Sequence, residues 1–218
     1  MKIFLDTADF DAIATRYSTG LIDGVTTNPT LIKKSGRDPV EVIKEISEAF
    51  PKMESISAEV VADNAADMIT QAKAFAEMEN VTIKVPCTID GLLACRDLSL
   101  IYDKTVNVTL VFSVAQAILA AKAGATYVSP FVGRCDDNSF SGVELVRAIC
   151  DTYKEHFVRT NVLAASLRDV QKVGRCFAAG AEVVTMPPAV FDKMYNHVLT
   201  DKGLELFQKD WESVNGTV

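Results

Sequence analysis

A lysine stands where a strand should be apolar. In the run VTIKVP (81–86), Lys84 lies between Ile83 and Val85. An ammonium buried there alone is costly, so it must find a partner or give up its proton. An uncharged amine in such a place is the group that attacks a carbonyl carbon to form a Schiff base. Two acids occupy comparable positions. Asp6 ends the run KIFLD (2–6), and Glu59 lies in SISAEVV (55–61), where the period of two puts Ser57 on the same face. Paired carboxyl groups beside an amine can shuttle the protons needed for carbinolamine formation, dehydration and carbon–carbon cleavage. Asn107 and Thr109 share a face of TVNVTLVF (105–112), and Thr109 could hold a water between Glu59 and a substrate. Thr26-Thr27-Asn28, Ser129, Arg134, Ser166 and Arg168 follow or end other apolar runs. Forked guanidinium donors suit a phosphate. Taken singly, each residue has a plainer reading: Lys84 snorkelling or paired with Glu59 for stability, Thr109 as β-propensity, the arginines as solvated charges. Their convergence favours chemistry.

Such convergence needs a scaffold that aims strand ends at one place. Apolar runs at 2–6, 24–28, 55–61, 81–86, 105–112, 125–131, 160–166 and 181–186 read as strands. Amphipathic stretches at 39–50, 65–78, 88–100, 113–122, 140–157, 168–179 and 188–196 read as helices between them. Alternation of this kind implies a parallel sheet, since each parallel neighbour needs a crossover. Eight such units predict an α/β fold, a (β/α)8 TIM barrel, forming a single domain over 1–218. The rival is an open doubly wound sheet. Its glycine-rich first βα loop is missing from DTADFDA, which favours the barrel. Seven strands then aim polar groups at one mouth, and the lower layers of the barrel are expected to hold branched apolar side chains. Gly24, Gly124 and Gly180 precede strands as helix C-caps or tight loops would require. A C-terminal helical extension is expected at about 198–218. Its stripe Leu204, Phe207, Trp211 and Val214 should dock on the parent barrel or on a neighbouring subunit.

Composition narrows the function classes. With 49% hydrophobic and 23% charged residues, the 218-residue chain is an ordinary globular sequence. No apolar run approaches the ~20 residues that cross a bilayer, and no signal peptide is visible, so a cytoplasmic location is expected. Five cysteines without CxxC spacing read as reduced thiols in or near the core. Two histidines, His156 and His197, supply a metal site or a Ser-His-Asp triad poorly. A net charge of −7 argues against nucleic-acid binding, yet leaves room for a small anionic substrate held by local cations.

At these residues the sequence resembles the small transaldolase and fructose-6-phosphate aldolase family along essentially its whole length. The matching blocks are FLDTAD (4–9), GVTTNPTLI (24–32), IKVPCTIDGL (83–92), NVTLVFSVAQA (107–117), YVSPFVGR (127–134), VLAASLR (162–168) and FQKDW (207–211). The resemblance implies a class I mechanism with no cofactor and no metal. Lys84 matches the Schiff-base lysine, Asp6 the acid–base residue for carbon–carbon cleavage, and Glu59 with Thr109 the pair that positions a catalytic water. Asn28 and Asn107 match substrate-hydroxyl ligands, Ser129 lies close to bound substrate, and Arg134, Ser166 and Arg168 match the phosphate site. Glu59 and Phe131 look like the transaldolase choice, where aldolase members have Gln and Tyr. The activity implied is transfer of a dihydroxyacetone unit between sugar phosphates, as in the pentose phosphate pathway. Release of free dihydroxyacetone, or a silent sugar-phosphate-binding barrel, are the alternatives. Cys87 departs from the small or apolar residue expected in KVPCT and raises the question of oxidation sensitivity. The resemblance also implies a homo-oligomer, often a decamer with exchanged C-terminal helices, and no nucleic-acid or membrane partner.

Overall fold

The computed structural model of the chain describes residues 1–215. Its strands are β1 (Lys2–Asp6), β2 (Gly24–Thr26), β3 (Ser55–Glu59), β4 (Val81–Pro86), β5 (Val106–Val111), β6 (Tyr127–Pro130), β7 (Asn161–Ala164) and β8 (Val183–Met186). All pair in parallel, in sequence order, and β8 returns to β1 through Lys2↔Val183 to Leu5↔Met186, closing the barrel. The helices are α1 (Phe10–Tyr17), α2 (Pro29–Ser35), α3 (Pro39–Ala49), α4 (Ala65–Ala72), α5 (Ile89–Leu100), α6 (Val114–Lys122), α7 (Val132–Asp137), α8 (Gly142–Glu155), α9 (Val170–Ala178), α10 (Pro188–Asp192) and α11 (Val198–Asn215). A short 3-10 turn at Lys73–Phe75 follows α4. None among the described residues is long and apolar enough to cross a membrane.

Local chemistry starts the helices where the strands end. Asp9, Thr88, Ser113 and Asp169 each accept a hydrogen bond from the backbone N–H three residues on, which satisfies one orphan donor of the first turn. Three helices were not expected from the sequence: α1, α2 and α7. At six to eight residues they are too short to display a 3.6-residue period, and their caps are the better signal. Several strands are also shorter than expected. Thr27, Asn28, Phe131 and Ser166 lie beyond strand ends, in the loops that carry the polar groups.

The strands divide their side chains between two cores. Leu5, Val25, Ile56, Ile83, Val108 and Val128 face outward and pack with helical residues such as Ile43, Leu98 and Ile149. Phe4, Tyr127, Leu163 and Val183 form a separate cluster inside the barrel, without helical members. The rest of that interior is not the branched apolar filling expected of lower barrel layers. Ser55 and Thr82 hydroxyls lie 2.7 Å apart, and Thr82 and Thr105 lie 3.0 Å apart. On the floor, Tyr127 donates to Glu54 at 2.9 Å, and Glu54 also pairs with Lys2. Hydroxyls this deep are tolerated because they satisfy one another around the ring.

Of the three glycines read as turn signals, Gly124 and Gly180 have φ of 84° and 106°, the left-handed region where glycine is favoured. Gly24 does something else. A Cβ there would lie 2.6 Å from the Phe4 ring and 2.7 Å from the Ser55 carbonyl oxygen, so the residue is required by close approach inside the barrel. The C-terminal helix also departs from one of its two expected roles. Leu204, Phe207, Trp211 and Val214 are 61–72% exposed, so the stripe is not docked on its own barrel. Residues 216–218 of the expected extension lie outside the described residues.

Gly24→Ala is expected to destabilise the chain by about 1–3 kcal/mol through overpacking. Gly174→Ala in α9, where an added Cβ meets nothing within 4 Å, should stabilise by about 0.5–1 kcal/mol. Thermal melts of the two variants against the parent check both signs; equal shifts would contradict this account of the interior.

Candidate active site

The alternation that buries Ile83 and Val85 against the helices turns Lys84 into the barrel, where it is 5% exposed. The register pairs Lys84 with Glu59 on one side and Asn107 on the other. Lys84 Nζ lies 2.9 Å from Glu59 Oε2 and donates to the Thr27 carbonyl oxygen at 3.2 Å. The partner demanded by burial is therefore present.

Asp6, at the end of β1, is the second carboxyl group around the amine. Its Oδ1 accepts from Thr26 Oγ1 at 2.9 Å. Burial pushes its pKa above the ordinary carboxylate value, and Glu59 adds to this. Lys84 and the Thr26 hydrogen bond pull the other way without overcoming burial. The two acids are thus unlike: Glu59 is the direct ion-pair partner, and Asp6 is a carboxyl group of raised proton affinity.

Polar atoms in the same interior are left without protein partners. Among the described residues, Ser57 Oγ, Thr109 Oγ1 and Asn107 Nδ2 are buried and make no hydrogen bond, although Asn107 Oδ1 accepts from Ser129 at 2.7 Å. Buried polar groups are normally satisfied, so a set of orphans beside a buried amine fits a site that receives a polar ligand. Backbone irregularity accompanies it. The β5–β6 register shifts between Val108 and Val111, and Leu110 is held at φ 58°, next to Thr109. A bulge re-aims side chains at the cost of local strain. Asn28 has a double position. Its Oδ1 caps α2 by accepting from Leu31 N at 3.0 Å, which fixes the amide with Nδ2 as its donor end.

A second wall comes from the loops after β6 and β7. Val132 N donates to Ala165 O at 3.0 Å and Gly133 N to Ser166 O at 3.1 Å, zipping the loops together. Gly133 is obligatory, since a Cβ there would lie 2.3 Å from Ser166 O. Ser166 is itself at φ 60°. This brings Arg134, Ser166 and Phe131 to one side, with the Arg134 guanidinium 4.8 Å over the Phe131 ring. Asp6, Asn28, Lys84, Phe131, Arg134 and Ser166 line a single cavity of about 120 Å³, together with Thr26 and Thr185. Larger clefts, of about 550 and 860 Å³, lie among outer helices and gather no such set.

Arg168, expected beside Arg134, does not line that cavity. It is exposed at the rim, and both of its terminal nitrogens bond the Asp137 carboxylate at 2.6 Å, which holds Asp137 below the usual carboxylate range. Asp137 and Thr185 escaped the sequence reading. Thr185 breaks the apolar run of β8 as Lys84 breaks that of β4, but a strand threonine carries little signal. Asp137 lies in a helix too short to be recognised. All five cysteines are free thiols, and Cys87 is half-buried. Among the described residues no three His, Cys, Asp or Glu side chains converge as a cation site.

The fold is shared with 3-hexulose-6-phosphate synthase, at a TM-score of 0.64 and 17% identity, covering 89% of this chain and 98% of that one. Sequence comparison reaches further. A probable transaldolase of Caulobacter vibrioides is 53% identical over the full length of both chains. One from Paracoccus denitrificans is 54% identical over 97% of this chain and 96% of its own. One from Cereibacter sphaeroides is 51% identical over 100% and 99%. The model of the transaldolase/fructose-6-phosphate aldolase family matches residues 3–218. With a whole-length match to that model and more than half its residues identical to such relatives, the chain belongs to the transaldolase/fructose-6-phosphate aldolase family.

Proposed function

We propose that the chain is a transaldolase that carries a dihydroxyacetone unit between sugar phosphates on Lys84, without a cofactor. The observation that carries this reading is the buried amine at 2.9 Å from Glu59, in a cavity that Asp6 also lines. The Lys84 amine adds to the C2 carbonyl of fructose 6-phosphate or sedoheptulose 7-phosphate. Glu59 takes the proton the ammonium must shed, and Thr109 with Glu59 holds the water formed on dehydration to the iminium. Asp6 as carboxylate then removes the C4 hydroxyl proton. The C3–C4 electron pair flows to the iminium nitrogen, releasing glyceraldehyde 3-phosphate or erythrose 4-phosphate and leaving an enamine. Addition of the enamine to the other aldehyde phosphate, followed by hydrolysis, completes the transfer. Asn28, Asn107 and Ser129 hold substrate hydroxyls, and Arg134, Ser166 and Arg168 hold the phosphate. Phe131 offers no hydroxyl to protonate the enamine, so the enamine waits for its acceptor.

The same reading places the chain in the cytoplasm, in the pentose phosphate pathway. It has no nucleic-acid or membrane partner and is a homo-oligomer, with a decamer as the expected size. The exposed stripe on α11 supports assembly, because four large apolar side chains in a row favour a protein partner over water. Sedimentation should give a species well above 23.7 kDa; a monomer at micromolar concentration would contradict this part.

Borohydride reduction in the presence of fructose 6-phosphate should leave a dihydroxyacetone-derived adduct on Lys84 by mass spectrometry. Lys84→Met should abolish adduct and turnover. A parent protein that turns over without an adduct on Lys84 refutes the mechanism, and steady release of free dihydroxyacetone without acceptor favours the aldolase alternative. Phe131→Tyr should raise that release relative to transfer. Arg134→Ala should raise KM for phosphorylated acceptors about 10- to 100-fold, as expected for losing one charge-assisted contact. Because Asp6 acts as carboxylate, activity should fall as pH drops through its raised pKa, so the acid limb should lie above the ordinary value of 3.8.

A further inference from the structure

The eighth strand sends one polar side chain into the barrel that the mechanism above leaves unused. Thr185 is 2% exposed and lines the same cavity as Asp6 and Lys84. Strands β2 and β8 flank β1, and Thr26 and Thr185 meet across the interior with their hydroxyl oxygens 2.6 Å apart. Thr26 Oγ1 is also 2.9 Å from Asp6 Oδ1. Among the described residues neither hydroxyl has another hydrogen-bond partner.

The direction of this chain follows from counting hydrogens. A threonine hydroxyl carries one, and an ionised Asp6 carries none. Thr26 must then donate to Asp6, and the contact with Thr185 is made only if Thr185 donates to Thr26. Every oxygen in the line is satisfied. If Asp6 Oδ1 takes a proton, Asp6 becomes the donor, Thr26 turns to donate to Thr185, and the Thr185 hydrogen is left with no protein acceptor. Both forms make two hydrogen bonds, but the carboxylate form uses every hydrogen, whereas protonation at Oδ1 leaves one without an acceptor.

We propose that Thr185 is a positioning residue that, through Thr26, orients Asp6 and favours its carboxylate form for removing the C4 hydroxyl proton. This rests on the Schiff-base reading for its catalytic consequence, though not for its effect on Asp6 itself. Burial works against the carboxylate, and the Thr26 hydrogen bond opposes burial. Polarisation along a buried chain strengthens its members, so the remote hydroxyl acts beyond its own contact.

The test compares Thr185→Val, Thr185→Ala and Thr185→Ser with the parent. Valine keeps the branched shape and loses only the hydroxyl; alanine serves should valine fold poorly; serine restores the donor. The acid limb of kcat/KM for donor cleavage should move up by roughly half to one pH unit in the valine and alanine variants. KM for the sugar phosphate at the pH optimum should change little, and serine should return the limb to the parent position. The protonated-carboxyl infrared band of Asp6 in the free proteins, assigned with Asp6→Asn, should titrate with the same displacement without any turnover. An unmoved band and limb in both hydroxyl-free variants, or a displacement that serine does not reverse, would overturn the proposal. Borohydride trapping on the same samples separates the two readings. A trapped Lys84 adduct with an unmoved limb removes only the role of Thr185. A displaced Asp6 band without any adduct in the parent keeps the hydrogen-bond chain and removes the Schiff base.

Discussion

The interior of this barrel is organised around an ammonium-bearing side chain that cannot be left alone. Transferring a charged amine from water to a protein interior costs several kcal/mol after relaxation, and that cost returns only with good geometry and further hydrogen bonds. Lys84 meets both conditions, with Glu59 at 2.9 Å and the Thr27 carbonyl at 3.2 Å. Because Glu59 and Lys84 are register partners on adjacent strands, the pair is set by the ladder itself and does not depend on a flexible loop. Placing it there commits the surrounding interior to polarity. Hydroxyls and amides take positions that branched aliphatic residues would otherwise fill, and Phe4, Tyr127, Leu163 and Val183 are left to close the lower interior. The apolar stabilisation comes from the other side of the strands, where Leu5, Ile56, Ile83 and Val108 pack on the helices. One sheet thus separates an apolar, stabilising layer from a polar one.

Two strained residues and one tightly constrained glycine fall at the same mouth. Leu110 and Ser166 adopt φ values of 58° and 60°; Leu110 adjoins Thr109, and Ser166 itself lines the cavity. Gly133 admits no side chain because Ser166 O approaches too closely. Such conformations cost of order 1–3 kcal/mol each and persist only when the structure around them overdetermines the backbone. Here the overdetermination is visible. The shifted β5–β6 register holds Leu110, and paired backbone bonds between the loops after β6 and β7 hold Gly133 and Ser166. Arg134 and Ser166 are presented by a braced surface, which would lower the entropy lost on binding the phosphate of the proposed reaction.

Much of this was legible in the sequence, for definable reasons. Eight apolar runs alternating with amphipathic ones imply a parallel sheet, the missing glycine-rich first loop favours its closure, and polar residues interrupting those runs identify Lys84, Glu59, Asp6 and Asn107. What escaped has equally definite causes. Helices α1, α2 and α7 are too short for periodicity, so the sequence pattern assigns no element to the segment carrying Arg134 and Asp137. Thr185 was passed over because threonine is at home in any strand. Gly24 looked like punctuation when its role is steric, since the approach of the Phe4 ring is a tertiary fact. The ladder of Ser55, Thr82 and Thr105 was hidden for the same reason: each hydroxyl is ordinary in its own segment, and only the pairing of β3, β4 and β5 brings them together.

The two arginines of the proposed phosphate site are in different electrostatic states, and this bears on how a chain of net charge −7 receives an anion. Arg134 stacks on Phe131 and makes no ion pair among the described residues, so its charge is presented to the cavity. Arg168 has both terminal nitrogens on Asp137, a contact that neutralises it before substrate arrives. A phosphate dianion reaching the rim therefore meets one available cation and one that must be shared with a carboxylate. Exposed ion pairs are weak, so sharing is inexpensive, and the forked guanidinium has further edges to offer. In the proposed site Arg134 is the anchor for the phosphate, and Arg168 would add affinity only for a ligand whose charge and geometry compete with Asp137. A doubly charged tetrahedral phosphate does so better than a singly charged planar carboxylate. On the proposed reading, discrimination among anions would rest on Asp137 as much as on the arginines.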